Sequence, residues 1–166
     1  MGNMTADELK KMLGLEAHPV EGGAFRRTYE SRERVTTARG ERFAGTAIYY
    51  LLEPGTFSEM HLLESDELYH FYLGAAVEML QLWPDGSTRV ARLGQKLSAG
   101  EQVQLLVPAG VWQGTRLIDE DDGSFALMGC TLVPGFDFAD YKNASAEELI
   151  AKWPAEAERI RKLTRS

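Results

Sequence analysis

Two side chains near the middle of the chain, His61 and Glu67, are of types that transfer protons and bind metal ions. His61 and Leu63 are two residues apart, so on a β-strand their side chains share one face. A turn after Leu63 then brings Glu67 in from the next strand, and the three side chains converge. Histidine is the residue whose ordinary pKa lies nearest neutrality, so His61 is the predicted general base. Glu67 is predicted to orient the imidazole or to act as the acid, with a raised pKa if the site is dry.

Other polar residues are candidates for binding a ligand beside this pair. Ser58, on the same predicted strand, and Gln113 are expected to hold a hydroxyl or carbonyl group, while Leu63 makes one wall apolar. Six arginines lie between positions 26 and 42, against three glutamates. A solvated strand pair explains most of them. The alternative is a small anion site that uses one or two of these arginines, with Arg26 as the candidate ligand-binding residue.

His70 and Tyr72 complete the set of candidate ligand-binding residues. By alternation His70 points away from the Glu67 face unless a bulge intervenes. We therefore interpret it first as a packed or dimer-interface histidine, or as part of a polar cluster with Tyr69 and Tyr72. If a bulge turned it inward, His70 could join His61 and Glu67 as a metal ligand.

The elements that must position these residues are strands enclosed by short helices. Thr5 and Glu8 form a capping box for a predicted helix over residues 5–13, and Ser145 and Glu148 form another. Helices are thus expected at about 145–164, interrupted at Pro154. Between about residues 22 and 133, short apolar runs end at Gly/Pro turns, as in an antiparallel barrel or sandwich. A single domain over residues 1–166 is predicted.

Composition excludes several classes of function. The 166-residue chain has a net charge of −7, which disfavours nonspecific nucleic-acid binding. It has no apolar run of the roughly 20 residues that span a bilayer, so no membrane partner is expected. The beginning of the sequence lacks the pattern of a signal peptide. The single cysteine, Cys130, lies in an apolar context that indicates a buried thiol. A cytoplasmic location is predicted.

Two groups of residues resemble the motifs of the cupin superfamily. The first motif is matched in spacing by Gly55, His61, Leu63, Glu67 and Gly74, and the second, with two extra residues, by Gly100, Pro108, Gly110 and Gln113. Cupins usually carry histidine where this chain has Leu63 and Gln113. A catalytic metal site generally keeps at least three protein ligands. No cofactor is therefore predicted, and any divalent metal is expected to bind only weakly.

The resemblance narrows to one family of small cupins catalogued as a domain of unknown function. The phrases at residues 18–29, 65–71, 107–113 and 129–138 carry it, and it extends over about residues 7–164. It implies an all-β cupin jelly-roll barrel with peripheral helices. It also implies a homodimer in which N-terminal strands pair across subunits, and structural kinship with the metal-independent dTDP-sugar epimerases. It implies no settled activity.

Three hypotheses for function follow. The first is a barrel that binds a small anionic or hydroxylated metabolite, such as a nucleotide or sugar nucleotide, with His61 as base in a metal-independent isomerisation or epimerisation. The second is a noncatalytic binding module with the same pocket. The third is a metal-dependent dioxygenase or hydrolase using His61, Glu67 and His70. Residues 22–31 are the candidate for a strand exchanged in the dimer.

Overall fold

The computed structural model describes residues 4–165. In this range the helices are α1 (Ala6–Leu13), α2 (Ala146–Lys152) and α3 (Ala157–Lys162). The strands are β1 (Glu16–Ala17), β2 (Ala24–Glu30), β3 (Arg34–Thr37), β4 (Gly40–Phe43), β5 (Thr46–Leu52), β6 (Phe57–Leu62), β7 (Asp66–Gly74), β8 (Val77–Leu82), β9 (Thr88–Leu93), β10 (Gln104–Val107), β11 (Trp112–Leu117), β12 (Ala126–Val133) and β13 (Lys142–Asn143). Strands β2 to β12 lie within the region of about residues 22–133 in which the sequence predicts strands, whereas β1 and β13 lie outside it.

Two antiparallel sheets form the barrel. One has six strands in the order β1-β2-β5-β12-β7-β10, and the other has five in the order β13-β6-β11-β8-β9. Their inner faces share one apolar core, to which both sheets contribute large buried side chains such as Tyr50, Tyr69, Met79, Leu117 and Met128. This is the all-β barrel with peripheral helices that the sequence predicts.

Strand alternation decides which side chains enter the barrel. On β7 the side chains of Glu67, Tyr69 and Phe71 are buried. The alternate residues His70 and Tyr72 face outward. Because successive side chains of a strand point to opposite faces, the position of Glu67 fixes that of His70. The predicted orientation of His70, away from the Glu67 face, is therefore confirmed.

The helices cover the outer faces of the sheets. α1 begins at the Thr5 capping box and ends at Gly14, whose left-handed φ of 64° closes the helix. Its Leu9 packs with Leu51 and Leu127 on the outside of the six-stranded sheet. α2 and α3 cover the five-stranded sheet with Leu149, Trp153, Ile160 and Leu163. In residues 4–165 we find no helix with the length and apolar character needed to cross a membrane.

A buried ion pair ties the β3–β4 hairpin to the segment between β12 and β13. Arg42 donates from Nε and Nη2 to the two carboxylate oxygens of Asp140, each at 2.8 Å. Arg39 Nε donates to the same carboxylate at 3.0 Å. The hydrogen bonds from Arg42 hold the pKa of Asp140 below its ordinary value. This contact fixes the chain on either side of Asp140, where Phe138 and Tyr141 lie beside the site described next.

Candidate functional site

A cavity of about 520 Å³ opens on the inner face of the six-stranded sheet, beside β2. Its buried end, here called the floor, is formed by His18, Glu21, Glu67 and Cys130. Its walls are apolar and consist of Phe25, Ile48, Leu63, Leu132, Phe136 and Phe138. Its exposed end, here called the rim, carries Glu16, Arg26 and Arg27. The size is that of a pocket for a small molecule.

Glu67 is the carboxyl group of the floor that belongs to a strand. It is 5% exposed and accepts a hydrogen bond from Gln113 Nε2 at 2.6 Å. Burial, and next the nearby charge of Glu21, raise the pKa of Glu67 to about 7. A carboxylic acid whose pKa lies near neutrality can act as acid or base under physiological conditions.

Glu21 is the second carboxyl group of the floor and lies in the loop between β1 and β2. The loop is shaped by His18, whose Nδ1 accepts hydrogen bonds from the backbone N–H groups of Val20 and Glu21 at 3.3 and 2.9 Å. Gly23 then turns the chain at a φ of 71°, where an added Cβ would lie 2.7 Å from the Leu51 carbonyl oxygen. Only glycine fits this turn without strain.

Three side chains surround the Glu21 carboxylate. The hydroxyl of Ser58 donates to Oε1. His18 Nε2 lies 3.7 Å from Oε2 and His61 Nε2 lies 4.0 Å from Oε1. Burial lowers the pKa of His18, so that ring is neutral and carries its hydrogen on Nε2, facing Glu21. The Glu21 carboxyl group thus lies among one hydroxyl group and two imidazole rings.

His61 lies behind Glu21. Its side chain is 1% exposed and does not belong to the residues that line the cavity. Nδ1 donates to the Glu59 carbonyl oxygen at 2.7 Å, so the neutral ring keeps its lone pair on Nε2, toward Glu21. The ring stacks on Tyr141 with centroids 5.2 Å apart and planes 11° from parallel. His61 therefore meets a ligand through Glu21, rather than directly as the sequence predicts.

Of the predicted site residues, five come together inside the barrel. His61, Glu67 and Gln113 lie with Ser58 and Leu63 at or behind the floor. His70 and Tyr72 do not join them. They lie on the outer face of the six-stranded sheet, where their rings stack and His70 Nε2 lies 3.1 Å from the Thr131 hydroxyl. Alternation along β7 is the reason, and it corrects their expected place in the pocket.

Arg26 reaches the rim from an unexpected side. The neighbouring pair, Phe25 on β2 and Tyr50 on β5, points into the barrel. Arg26 pairs with Tyr49, the next residue pair along the strands, so its side chain points away from the barrel, on the outer face of β2. Its Nη1 donates to the Leu13 carbonyl oxygen at 3.0 Å, at the end of α1. Arg27, the next residue, pairs with Ile48 and points inward. It is one of the six arginines of the predicted anion site, but the sequence does not distinguish it from the others.

His18, Glu21 and Tyr141 were also missed. The only sequence signal for Glu21 is its position, between a histidine and a pair of glycines in the phrase at residues 18–23. Tyr141 is placed by β13, which pairs Asn143 with His61. A strand of two residues leaves no periodic pattern from which this could be predicted.

The donor set does not fit a cupin metal centre. Within residues 4–165 no group of three or more His, Cys, Asp or Glu side chains has the geometry to hold a metal ion. The alternative set of His61, Glu67 and His70 is not assembled, because His70 lies outside the barrel. The floor instead carries the carboxyl groups of Glu21 and Glu67, and His61 Nε2 lies 4.0 Å from Glu21 Oε1.

Comparisons with known proteins agree with this barrel. Residues 7–144 match the family model of the Cupin superfamily described as DUF985. The chain is 30% identical over 132 residues to the uncharacterized protein YML079W of Saccharomyces cerevisiae, covering 78% of this chain and 60% of that protein. The chain thus spans about three fifths of the length of this yeast relative.

Two solved structures resemble the chain over almost its whole length. Protein SO0799 from Shewanella oneidensis is 36% identical, with a TM-score of 0.88 and 98% of both chains covered. A hypothetical protein from Leishmania major is 27% identical, with a TM-score of 0.90 and coverage of 98% of this chain and 100% of that one. The chain therefore belongs to the DUF985 family of the Cupin superfamily.

Proposed function

We propose that the cavity binds a small hydroxylated or anionic metabolite, in the range of nucleotides and sugar nucleotides, and catalyses a metal-independent isomerisation or epimerisation. The observation that carries this proposal is that two carboxyl groups on the floor of the cavity, Glu67 and Glu21, have different surroundings. Glu67 is buried, with a pKa of about 7, whereas Glu21 lies among a hydroxyl and two imidazoles. Two carboxyl groups whose environments differ in this way are suited to act as an acid and a base.

The proposed step moves protons only. The Glu21 carboxylate removes the proton from a carbon next to a carbonyl group, while protonated Glu67 donates its proton to the carbonyl oxygen. The result is an enol, with Glu21 protonated and Glu67 ionised. When the carbon that loses the proton bears a hydroxyl group, Glu21 returns the proton to the neighbouring carbon while Glu67 takes the proton of that hydroxyl group, which gives the isomer and restores both groups. When the enol turns its other face toward Glu21, return of the proton to the same carbon, with Glu67 taking back the enol proton, gives the epimer. No oxidant or further reactant is needed.

His61 and Ser58 would act on Glu21 rather than on the ligand. The lone pair of His61 Nε2 faces Glu21 Oε1 at 4.0 Å, so this imidazole is the next acceptor for a proton that Glu21 takes up. Ser58 holds the same oxygen by donating its hydroxyl hydrogen. The general base predicted from sequence thus becomes, in the proposal, the second member of a relay.

Hydrogen exchange tests the proposal. Nucleotides, sugar phosphates and sugar nucleotides are first screened for a shift in melting temperature, and each binder is then incubated with the protein in D₂O. NMR should show deuterium entering one carbon of the binder. Glu21→Gln and Glu67→Gln should bind it and stop the exchange, because an amide cannot accept or supply the proton. Glu33→Gln, at an exposed glutamate, serves as the control.

A binder that acquires no deuterium with the wild-type protein would contradict the catalytic part of the proposal. The cavity would then belong to a noncatalytic binding module. If no nucleotide, sugar phosphate or sugar nucleotide shifts the melting temperature, the proposed ligand range is wrong as well.

A further inference from the structure

The cavity has two ends of opposite character, and we infer from them that its substrate is a sugar phosphate, bound with its hydroxyl groups at the floor and its phosphate at the rim. This inference rests on the proposed function for the site and adds the class and the direction of the bound molecule.

The floor presents acceptors. Glu21 and Glu67 both line the floor, and the side chain of Gln113, which donates to Glu67, is buried behind it. Gln113 is 1% exposed, and among residues 4–165 no donor reaches its Oε1. A phosphate or carboxylate in this place would face the Glu21 carboxylate in a medium that screens charge poorly. Protonated Glu67 carries no charge and can share its hydrogen with a hydroxyl or carbonyl oxygen. Hydroxyl groups can donate to the same oxygens without that repulsion.

The rim presents donors. Arg27 lies on the inner side of β2 opposite Ile48, and its side chain is 38% exposed. One of its nitrogens, Nη1, donates to Glu30 at 2.7 Å. A guanidinium has five N–H groups in a planar fork, so further hydrogens remain for a phosphate. Arg26 adds a second cation to the rim, where Glu16 lies as well.

The walls separate the two ends. Leu63, Ile48, Leu132 and the ring of Phe136 make the middle of the cavity apolar. Phe136 and Phe138 pack edge to face with centroids 4.9 Å apart, and Phe138 remains 58% exposed at the open end. An apolar middle offers no partner to a charged group, so the anionic part of a bound molecule is expected to stay with Arg27. The carbon face of a sugar ring suits such walls.

Calorimetric titration at one ionic strength tests the direction of binding without requiring turnover. The probes are hexose and pentose monophosphates, the parent sugars, inorganic phosphate and malonate. At least one sugar phosphate should bind roughly tenfold more tightly than its parent sugar, inorganic phosphate and malonate. Arg27→Ala should weaken that sugar phosphate by roughly 10- to 100-fold and leave the parent sugar unchanged. Arg32→Ala, at an exposed arginine away from the cavity, is the matched control.

Glu21→Gln tests the inner end. It should weaken the sugar phosphate and the parent sugar by a similar factor, since both lose the same hydroxyl contact. The inference is overturned if no sugar phosphate binds, if inorganic phosphate or malonate binds as tightly as any of them, or if Arg27→Ala changes nothing. These results concern affinity alone. Failure of the proposed function shows itself differently, as sugar phosphate binding in the expected order without deuterium exchange.

Discussion

The amide nitrogen of Gln113 lies 2.6 Å from a carboxyl oxygen of Glu67, and this hydrogen bond joins the two sheets across the interior of the barrel. Gln113 occupies the position where cupins usually carry a histidine ligand. Its amide favours the ionised form of Glu67, but burial outweighs it and the pKa rises to about 7. Where cupins usually carry a histidine that binds metal, this chain thus has an amide that donates to Glu67, a carboxyl group with a pKa near neutrality.

Stability should depend on pH through Glu67. Between about pH 4.5 and 7 the folded protein binds a proton on Glu67 that the unfolded chain has released. The free energy of unfolding should therefore fall as the pH rises through this window, by at most about 3 kcal/mol, and level off above it. Glu67→Gln should remove this dependence and be the more stable protein at pH 8. Urea unfolding from pH 4 to 8 measures both.

Exposed Glu33 provides the control for that experiment, because Glu33→Gln should keep the slope of the wild-type protein. A Glu67→Gln variant whose unfolding free energy follows the wild-type curve at every pH would show that folding leaves the pKa of Glu67 unchanged.

The metal content remains a prediction. His61 and Glu67 are the two strong ligands left at the motif positions, and a bound transition metal generally needs at least three. Protein purified without added metal should carry well under one equivalent of zinc, iron, nickel or manganese. Elemental analysis after dialysis measures this. A near-stoichiometric metal would mean that the floor rearranges to recruit further ligands, with His18 the nearest unused imidazole.

Much of the fold follows from local sequence rules. The two capping boxes form as predicted, and alternation along β7 correctly separates Glu67 from His70. These features depend on residues a few positions apart. The approach of His61 and Glu67 to one region of the interior also follows from alternation and a turn.

The loop that carries Glu21 could not be predicted, because its path is set by distant contacts. Three backbone carbonyl oxygens of the loop accept hydrogen bonds from distant residues. The Tyr50 hydroxyl donates to Gly22 at 2.7 Å, the Glu59 backbone N–H donates to Glu21 at 2.9 Å, and Arg165 Nη1 donates to Val20 at 2.9 Å. The residue that lines the cavity is therefore Glu21, which lies in a loop and belongs to no strand pattern. His61, which the pattern does predict, lies behind it.

Assembly into a homodimer also remains a prediction. β2 pairs with β5 of the same chain, and β1 covers its other edge only at Ala24 and Phe25. From Arg26 onward no strand of residues 4–165 pairs with that edge, and such an edge favours association. Light scattering at micromolar concentration should give about twice the 18.5 kDa of one chain. A mass near that of one chain would contradict pairing across subunits.

The core and the site should respond differently to substitution. Leu51 is fully buried beneath α1, so Leu51→Ala should cost roughly 2–5 kcal/mol of unfolding free energy. His61→Gln should cost much less, since the new amide can still donate to the Glu59 carbonyl oxygen. It should nevertheless impair proton transfer, because glutamine does not titrate near neutral pH. If His61→Gln is as unstable as Leu51→Ala, the imidazole is a structural group.

The central claim is that Glu67, beside Glu21 on the floor of the cavity, has a pKa near 7. This pKa can be measured without any ligand. Carbon-13 NMR of protein labelled at the glutamate carboxyl carbons follows each group through a pH titration. One resonance should titrate near pH 7, and Glu67→Gln should remove it. In Glu21→Gln the same resonance should titrate at lower pH, because a neighbouring negative charge has been removed. A set of glutamates that all titrate below about pH 5.5 would contradict the account.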